Sequence, residues 1–265
     1  MSLRSLRSVP DLRERWRTSF IEATTYDCAV EHEHVAGVLG RLIWGTDTSA
    51  FYRDIARLSE LPAGARVLDI PCGGGVAFRG LRPEQELHYI AADLSPVMLR
   101  RARAEADRRG IHWIEFAEAD VEALPFEDRS FDLVVTYTGL HCFPDPPAAI
   151  AELARVLRPG GELRGTSVIK RAGQRQDAFV RLMQLGGVFG PGQTLAELEA
   201  SLADAGLVKV SVSRNGALAY FSARRRGGSR AGTATPAKGR DRLGTDTQLA
   251  AHETLRGARD ARRDE

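Results

Sequence analysis

The sequence predicts an α/β fold: a doubly wound, mostly parallel sheet of seven strands, with an antiparallel C-terminal hairpin and an N-terminal helical lid. Three observations lead there. From residue 65 onward, short apolar runs alternate with helical patterns. A run of three glycines follows the first of those strands directly. Near the end, two alternating runs are separated by an Asn-Gly turn. Strand–helix alternation implies parallel pairing through right-handed crossovers, with helices on both faces. An Asn-Gly turn between alternating runs implies a hairpin.

The elements follow in order. Residues 11–60 read as helices, with Phe51, Tyr52, Ile55 and Leu58 at helical spacing before LPAG at 61–64 breaks the chain. Strands are predicted at 65–70, 87–93, 111–120 and 131–138. A short helix follows the glycines. Between the second and third strands, Ser95 stands as N-cap, Pro96 at the first helical position and Gly110 past the end. A helix over 147–157 is closed by RPGG, and a fifth strand covers 162–169. A helix over 175–190 ends at glycines, and TLAE at 194–197 is a capping box for the next helix. Strands 207–213 and 218–223 make the hairpin. This divides the chain into a lid (1–60), a core (61–223) and a tail (224–265).

Composition narrows the class. Of 265 residues, 43% are hydrophobic and 27% charged, which suits a globular protein. No apolar stretch approaches the ~20 residues that span a bilayer. The opening MSLRSLRSVPDLRERWR lacks an apolar h-region, so the expectation is a cytoplasmic protein without a secretory leader. Cys28, Cys72 and Cys142 are scattered, with no CxxC pair. His32 and His34 stand two apart, on opposite sides of a helix, so no metal site is expected. The tail carries eleven Lys/Arg against six Asp/Glu and few large apolar residues. It is expected to be a disordered, solubilising extension, and nothing else marks a nucleic-acid partner.

The stretch VLDIPCGGGVAF, Val67 to Phe78, carries the first chemical signal. Glycines after a first strand let backbone approach a ligand, and a following helix offers its N–H groups. No G-K-[ST] follows, so there is no P-loop. G-x-G-x-x-G also fails, because Val76, Ala77 and Phe78 come next. Asp93 ends the second strand where a carboxylate can accept from ribose hydroxyls. These features describe a ribose-bearing ligand without a required pyrophosphate.

Four motifs now stand in order: VLDIPCGGG, AADLSPVML, EADVEALPFEDRSFDLVVTYTGLHCFPDP and LARVLRPGGEL. Together they resemble the class I S-adenosylmethionine-dependent methyltransferases, which share a Rossmann-like fold, and within them the small-molecule branch that includes quinone-biosynthesis enzymes. The resemblance covers roughly residues 20–223. It implies S-adenosyl-L-methionine as cofactor, a small-molecule acceptor and a set of site residues. Asp69 matches the acid that helps hold the methionine end. Gly73 and Gly75 match glycines that let backbone lie against the cofactor. Asp93, with Leu94 beside it, matches the ribose carboxylate. Asp120 matches the acceptor of the adenine amino group, and Val121 the backbone donor to the ring. Thr136 matches the position whose carbonyl faces the methionine ammonium. Pro71 stands where the family has a glycine; proline fixes φ and removes an N–H.

Methyl transfer needs an aligned acceptor and, for some acceptors, a base. His141, after the fourth strand, is the expected base, with Tyr137 as second candidate and no metal. Cys72 reads as a packing residue. The [DNS]-P-P-[YFW] signature of amine methylation is absent, with Thr136-Tyr137-Thr138-Gly139 in its place. The acceptor is expected under the N-terminal helices and the 175–190 helix, beside Tyr26, Trp44, Phe51, Phe179 and Met183. Thr46, in WGTD, is expected to close over the methionine carboxylate. Two other readings stay open: an NAD(P)-dependent oxidoreductase on the same topology, and a non-catalytic protein that binds S-adenosylmethionine. Oligomeric state is not legible.

Overall fold

Alternating apolar side chains on the central strands leave two faces to bury, and helices cover both. The structure, a computed structural model, describes residues 12–18 and 40–227. Tyr26, Cys28, His32, His34 and nearly all of the tail lie outside the described residues. The helices are α1 (Leu12–Thr18), α2 (Ser49–Ala56), α3 (Pro96–Arg108), α4 (Pro146–Val156), α5 (Gln174–Leu185) and α6 (Leu195–Asp204). The strands are β1 (Arg66–Asp69), β2 (His88–Asp93), β3 (Glu115–Glu118), β4 (Phe131–Tyr137), β5 (Leu157–Val168), β6 (Leu207–Asn215) and β7 (Leu218–Arg225).

The sheet runs β3-β2-β1-β4-β5-β7-β6, parallel through β5 and antiparallel at β7 and β6. One face (Leu68, Ile70, Val134, Leu163, Phe221) packs with α4 and α6 through Ile150, Leu153, Leu198 and Leu202. The other (Val67, Tyr89, Leu133, Val135) packs with Phe51, Ile55, Leu58, Phe78 and Leu99. Local signals end the helices where the sequence places them. Asp145 Oδ1 accepts from Ala148 N–H at 3.1 Å to cap α4. Thr194 and Glu197 form the expected capping box on α6. Gly216, at φ +60°, makes the hairpin turn, and strand order reverses between β1 and β4.

Several expectations change. The strand over 111–120 shrinks to β3, because its register pairs only with Ile90–Asp93. The Trp113 indole N–H instead donates to the Pro83 carbonyl at 2.9 Å. RPGG does not end a helix outside the sheet. It lies inside β5, which begins at Leu157 opposite Phe131 and bulges before Leu133. The helix after the glycines is a single 3₁₀ segment, Val76–Gly80. Within residues 49–60, Phe51, Ile55 and Leu58 are buried in the core against the sheet.

The 3₁₀ segment meets α2 at a close approach. A Cβ on Gly80 would stand 1.9 Å from the Ile55 carbonyl oxygen. Backbone cannot yield there without separating the two elements. Gly80→Ala is therefore expected to destabilise the protein by about 2 kcal/mol or more, read from urea denaturation.

Candidate functional site

The carboxyl ends of β1 to β4 deliver a cleft at the point where strand order reverses, the usual ligand position in an open α/β sheet. Its walls include Pro71, Cys72 and Gly73 after β1, Asp93 and Leu94 from β2, Asp120 and Val121 after β3, and Tyr137 to Gly139 at β4. Arg13 and Trp16 of α1 line it as well. Val76, Met98 and Phe143 make much of the remaining surface apolar.

Asp93 organises the floor. Its Oδ2 accepts from Gly73 N–H at 3.0 Å and its Oδ1 from Ser95 N–H at 2.8 Å. Burial pushes its carboxyl up to about 6, while those backbone N–H groups pull the other way. A carboxylate offers about four acceptor sites, so capacity remains for a ligand hydroxyl. Gly73 takes φ +53°, a conformation glycine adopts without penalty.

Pro71 is explained by its neighbour. The Ile70–Pro71 bond is cis, and the ring packs on Gly139 so tightly that a Cβ there would lie 2.3 Å from Pro71 Cδ. The turns after β1 and β4 thus touch through a proline and a glycine, which joins the two halves of the cleft floor.

At the far end, Asp120 is already engaged. Its Oδ1 accepts from Glu122 N–H at 3.0 Å, and its Oδ2 is 3.1 Å from Arg13 Nε. Arg13 also pairs with Glu122, and Arg17 Nη2 with Glu118 at 2.6 Å. These pairs tie α1 along the β3 edge of the cleft. A ligand that uses the outer oxygen of Asp120 must displace Arg13.

Several expected site residues stand off the cleft wall. Asp69 is 1% exposed and its Oδ2 accepts from the Tyr89 hydroxyl at 2.9 Å, so it supports the floor from beneath. Burial pushes its carboxyl up to about 8. Gly75 takes φ +91° and turns the chain above Phe78. Thr136 is fully buried, one residue short of the wall. Thr46 is 3% exposed in a strap held against the hairpin: Ala217 N–H donates to Trp44 O at 2.8 Å, and Asn215 Nδ2 to Asp47 O at 3.0 Å. That strap covers β6 and β7, not the cleft, because its backbone is committed to their turn.

His141 is the main correction. It is 2% exposed, absent from the wall, and its Nδ1 accepts from Val168 N–H at 3.2 Å. Its ring meets Phe189 edge-on at 4.5 Å. Burial lowers its pKa to about 3, so it stays neutral and packs the core. Tyr137 does reach the wall. Its hydroxyl donates to Asp54 Oδ2 at 2.8 Å, and Phe51 holds its ring edge-on at 5.6 Å. Behind Asp54 lies Arg164, 7% exposed on a central strand, 3.9 Å from Asp54 and 2.9 Å from Glu162. Neither Arg13, Asp54 nor Arg164 stands out in the sequence. Each acts through a partner far along the chain, and the one local clue is an arginine among the apolar residues of β5.

Fold and cleft together make a Rossmann-like α/β architecture with its ligand position at the switch point of the sheet. Residues 68–164 match the model of the methyltransferase domain family. A probable phthiotriol/phenolphthiotriol dimycocerosates methyltransferase 2 of Mycobacterium ulcerans is 34% identical over 161 residues, which cover 60% of this chain and 53% of that protein. A demethylmenaquinone methyltransferase of Thermus thermophilus is 41% identical over 130 residues, covering 48% of this chain and 57% of that one. The chain thus spans about half the length of these curated relatives. Among solved structures, phosphoethanolamine N-methyltransferase 2 of Haemonchus contortus, in complex with S-adenosyl-L-methionine, aligns with a TM-score of 0.64 at 17% identity. That alignment covers 83% of this chain and 61% of the other, and it shows the shared fold.

The buried titrating groups set how stability depends on pH. Asp69 stays protonated in the fold up to about pH 8, whereas the unfolded chain ionises it near pH 4. Its contribution is full below about 4 and fades as pH rises to 8. His141 stays neutral down to about pH 3, whereas the unfolded chain protonates it near 6.5, so its contribution is lost as pH falls. Asp93, raised to about 6 in the fold, has completed most of its titration by about pH 7. Between 7 and 8 unfolding free energy should therefore fall with pH, by at most about 1.4 kcal/mol per unit for one group. Urea denaturation across this range should show that slope flattened in Asp69→Asn and retained in His141→Asn.

Proposed function

We propose that the chain is an S-adenosylmethionine-dependent methyltransferase that methylates a small-molecule acceptor. The observation that carries the reading is the Asp93 carboxylate, fixed by two backbone N–H groups at the carboxyl edge of β2 and facing a cleft. The residues fit the cofactor. Asp93 accepts from ribose hydroxyls, Leu94, Met98 and Val121 offer apolar surface to adenine, and the backbone at Pro71–Gly73 lies open at the wall. Asp120 and the Val121 N–H are the polar contacts for the base once Arg13 withdraws. Asp69, Gly75 and Thr136 shape the floor from behind. The relatives, named for methyl transfer, support the same class.

When bound, S-adenosylmethionine supplies an electrophilic methyl group on a sulfonium. The chain supplies position and desolvation. The apolar wall excludes water from the reacting end. Tyr137 orients the acceptor: its hydroxyl donates a hydrogen bond to Asp54, which leaves the phenolic oxygen's lone pairs to accept from an acceptor hydroxyl or amine. Arg164, 3.9 Å away, helps hold Asp54 in place. His141 takes no part in proton transfer. The oxidoreductase reading has no observation in its favour.

Calorimetric titration of S-adenosylhomocysteine into wild type and Asp93→Ala, with NADH alongside, tests the reading. Micromolar binding lost in the variant is expected; tighter binding of NADH would overturn it. The pH dependence is a second check. Ribose hydroxyls donate to the ionised carboxylate, so affinity should rise as pH passes about 6 and level above 7. Asp93→Asn should bind weakly, with little change over that range.

A further inference from the structure

Helix α5 carries apolar residues on two faces. Its inner face is accounted for: Val180 is buried, and Phe179 meets Trp44 edge-on at 5.0 Å. Its outer face is not. Ala178, Leu182 and Leu185 recur at four and three residues, which places them on one side of the helix. Leu182 is 58% exposed and Leu185 87%. Leu42, 63% exposed, lies toward the start of the same helix, where its carbonyl accepts from Arg175 at 3.5 Å. Among the described residues, these three leucines are the large apolar side chains left in solvent.

Charge singles out what covers this ridge. Arg175 and Arg181, both exposed, flank it on either side. Arg41 and Arg171, also exposed, add basic charge near the start of the helix. The one acidic residue of α5, Asp177, is turned to the helix start, where its Oδ1 accepts from Ala172 N–H at 3.2 Å. An apolar ridge between arginines is the pattern of a helix that lies in a membrane interface, with leucines in the acyl boundary and guanidinium groups on headgroup phosphates. Asp177 and Glu197 share the groove beside the ridge with Lys170, Arg171 and Arg181, and Glu197 pairs with Lys170, so the cations still outnumber the acids there. We propose that the outer face of α5, together with Leu42, seats the protein on an anionic lipid surface. The basic rim draws the protein to the bilayer, and the leucines hold it there.

Co-sedimentation of the full chain with vesicles tests this, independently of the catalytic reading. Vesicles of phosphatidylglycerol and phosphatidylcholine are compared with phosphatidylcholine alone. Binding to the anionic vesicles is expected, weakening as salt rises. Leu182→Ser/Leu185→Ser and Arg175→Gln/Arg181→Gln should each lower the bound fraction at least fivefold. These side chains are exposed, so both variants should keep the wild-type melting temperature and S-adenosylhomocysteine affinity. Equal binding to neutral vesicles, or variants that sediment like wild type, would overturn the proposal; the latter result would assign any lipid binding to the basic tail. A wild-type dimer that becomes monomeric in Leu182→Ser/Leu185→Ser would also overturn it, in favour of a second copy.

Discussion

The grip of two backbone N–H groups on the Asp93 carboxylate is the contact on which the cleft depends. Gly73 N–H comes from the turn after β1 and Ser95 N–H from the start of α3, so one side chain holds three elements at one point. The geometry explains the residues around it. Gly73 must take a positive φ to aim its N–H. Ser95 supplies a backbone bond here, and its side chain makes no cap. The arrangement is costly, since a buried carboxylate loses hydration, and the two N–H bonds offset only part of that loss. A group balanced this way sits near its own titration point, and small changes in its surroundings alter its charge.

Beneath the wall, the sheet face toward α2 carries an unusual share of polar groups. Asp69 with Tyr89, and Tyr137 with Asp54, Arg164 and Glu162, sit where apolar side chains would pack more easily. Buried polar pairs seldom add stability over well-packed apolar residues. They do fix orientation. Tyr137 is held by a hydrogen bond at one end and an aromatic edge at the other, so its ring has one position against the cleft.

Much of this was legible in the sequence, and the misses share a cause. Local signals carried far: the Asn-Gly turn, the Thr194 capping box, Pro96 at a helix start and the alternation of strands each fix a structure within a few residues. The strand-end position of Asp93 was readable because strand and loop are local facts. Which way a side chain faces is not. His141 follows β4 where a base would be useful, yet the backbone of Leu140–Cys142 winds into a 3₁₀ turn that points it at Val168. Thr46 was placed by its neighbours in WGTD, but the hairpin turn claims that strap's backbone. Arg13, Asp54 and Arg164 gain their meaning from partners distant in the chain, and no single-sequence pattern marks them.

The contact between Pro71 and Gly139 has an evolutionary consequence. A glycine at 71 would remove the closest obstruction to a side chain at 139, leaving Phe143 Cζ at 3.0 Å, while a proline at 71 leaves 139 no choice. The two positions should therefore covary among sequences that keep this backbone, although one belongs to the first motif and the other follows the fourth strand. Loss of the ring at 71 is the step that must come first, since an alanine at 139 has no room until the proline is gone. Gly139 also opens the Leu140–Cys142 turn, its carbonyl accepting from Cys142 N–H at 2.8 Å, so the proline ring ties the first turn of the cleft to the turn after the fourth strand.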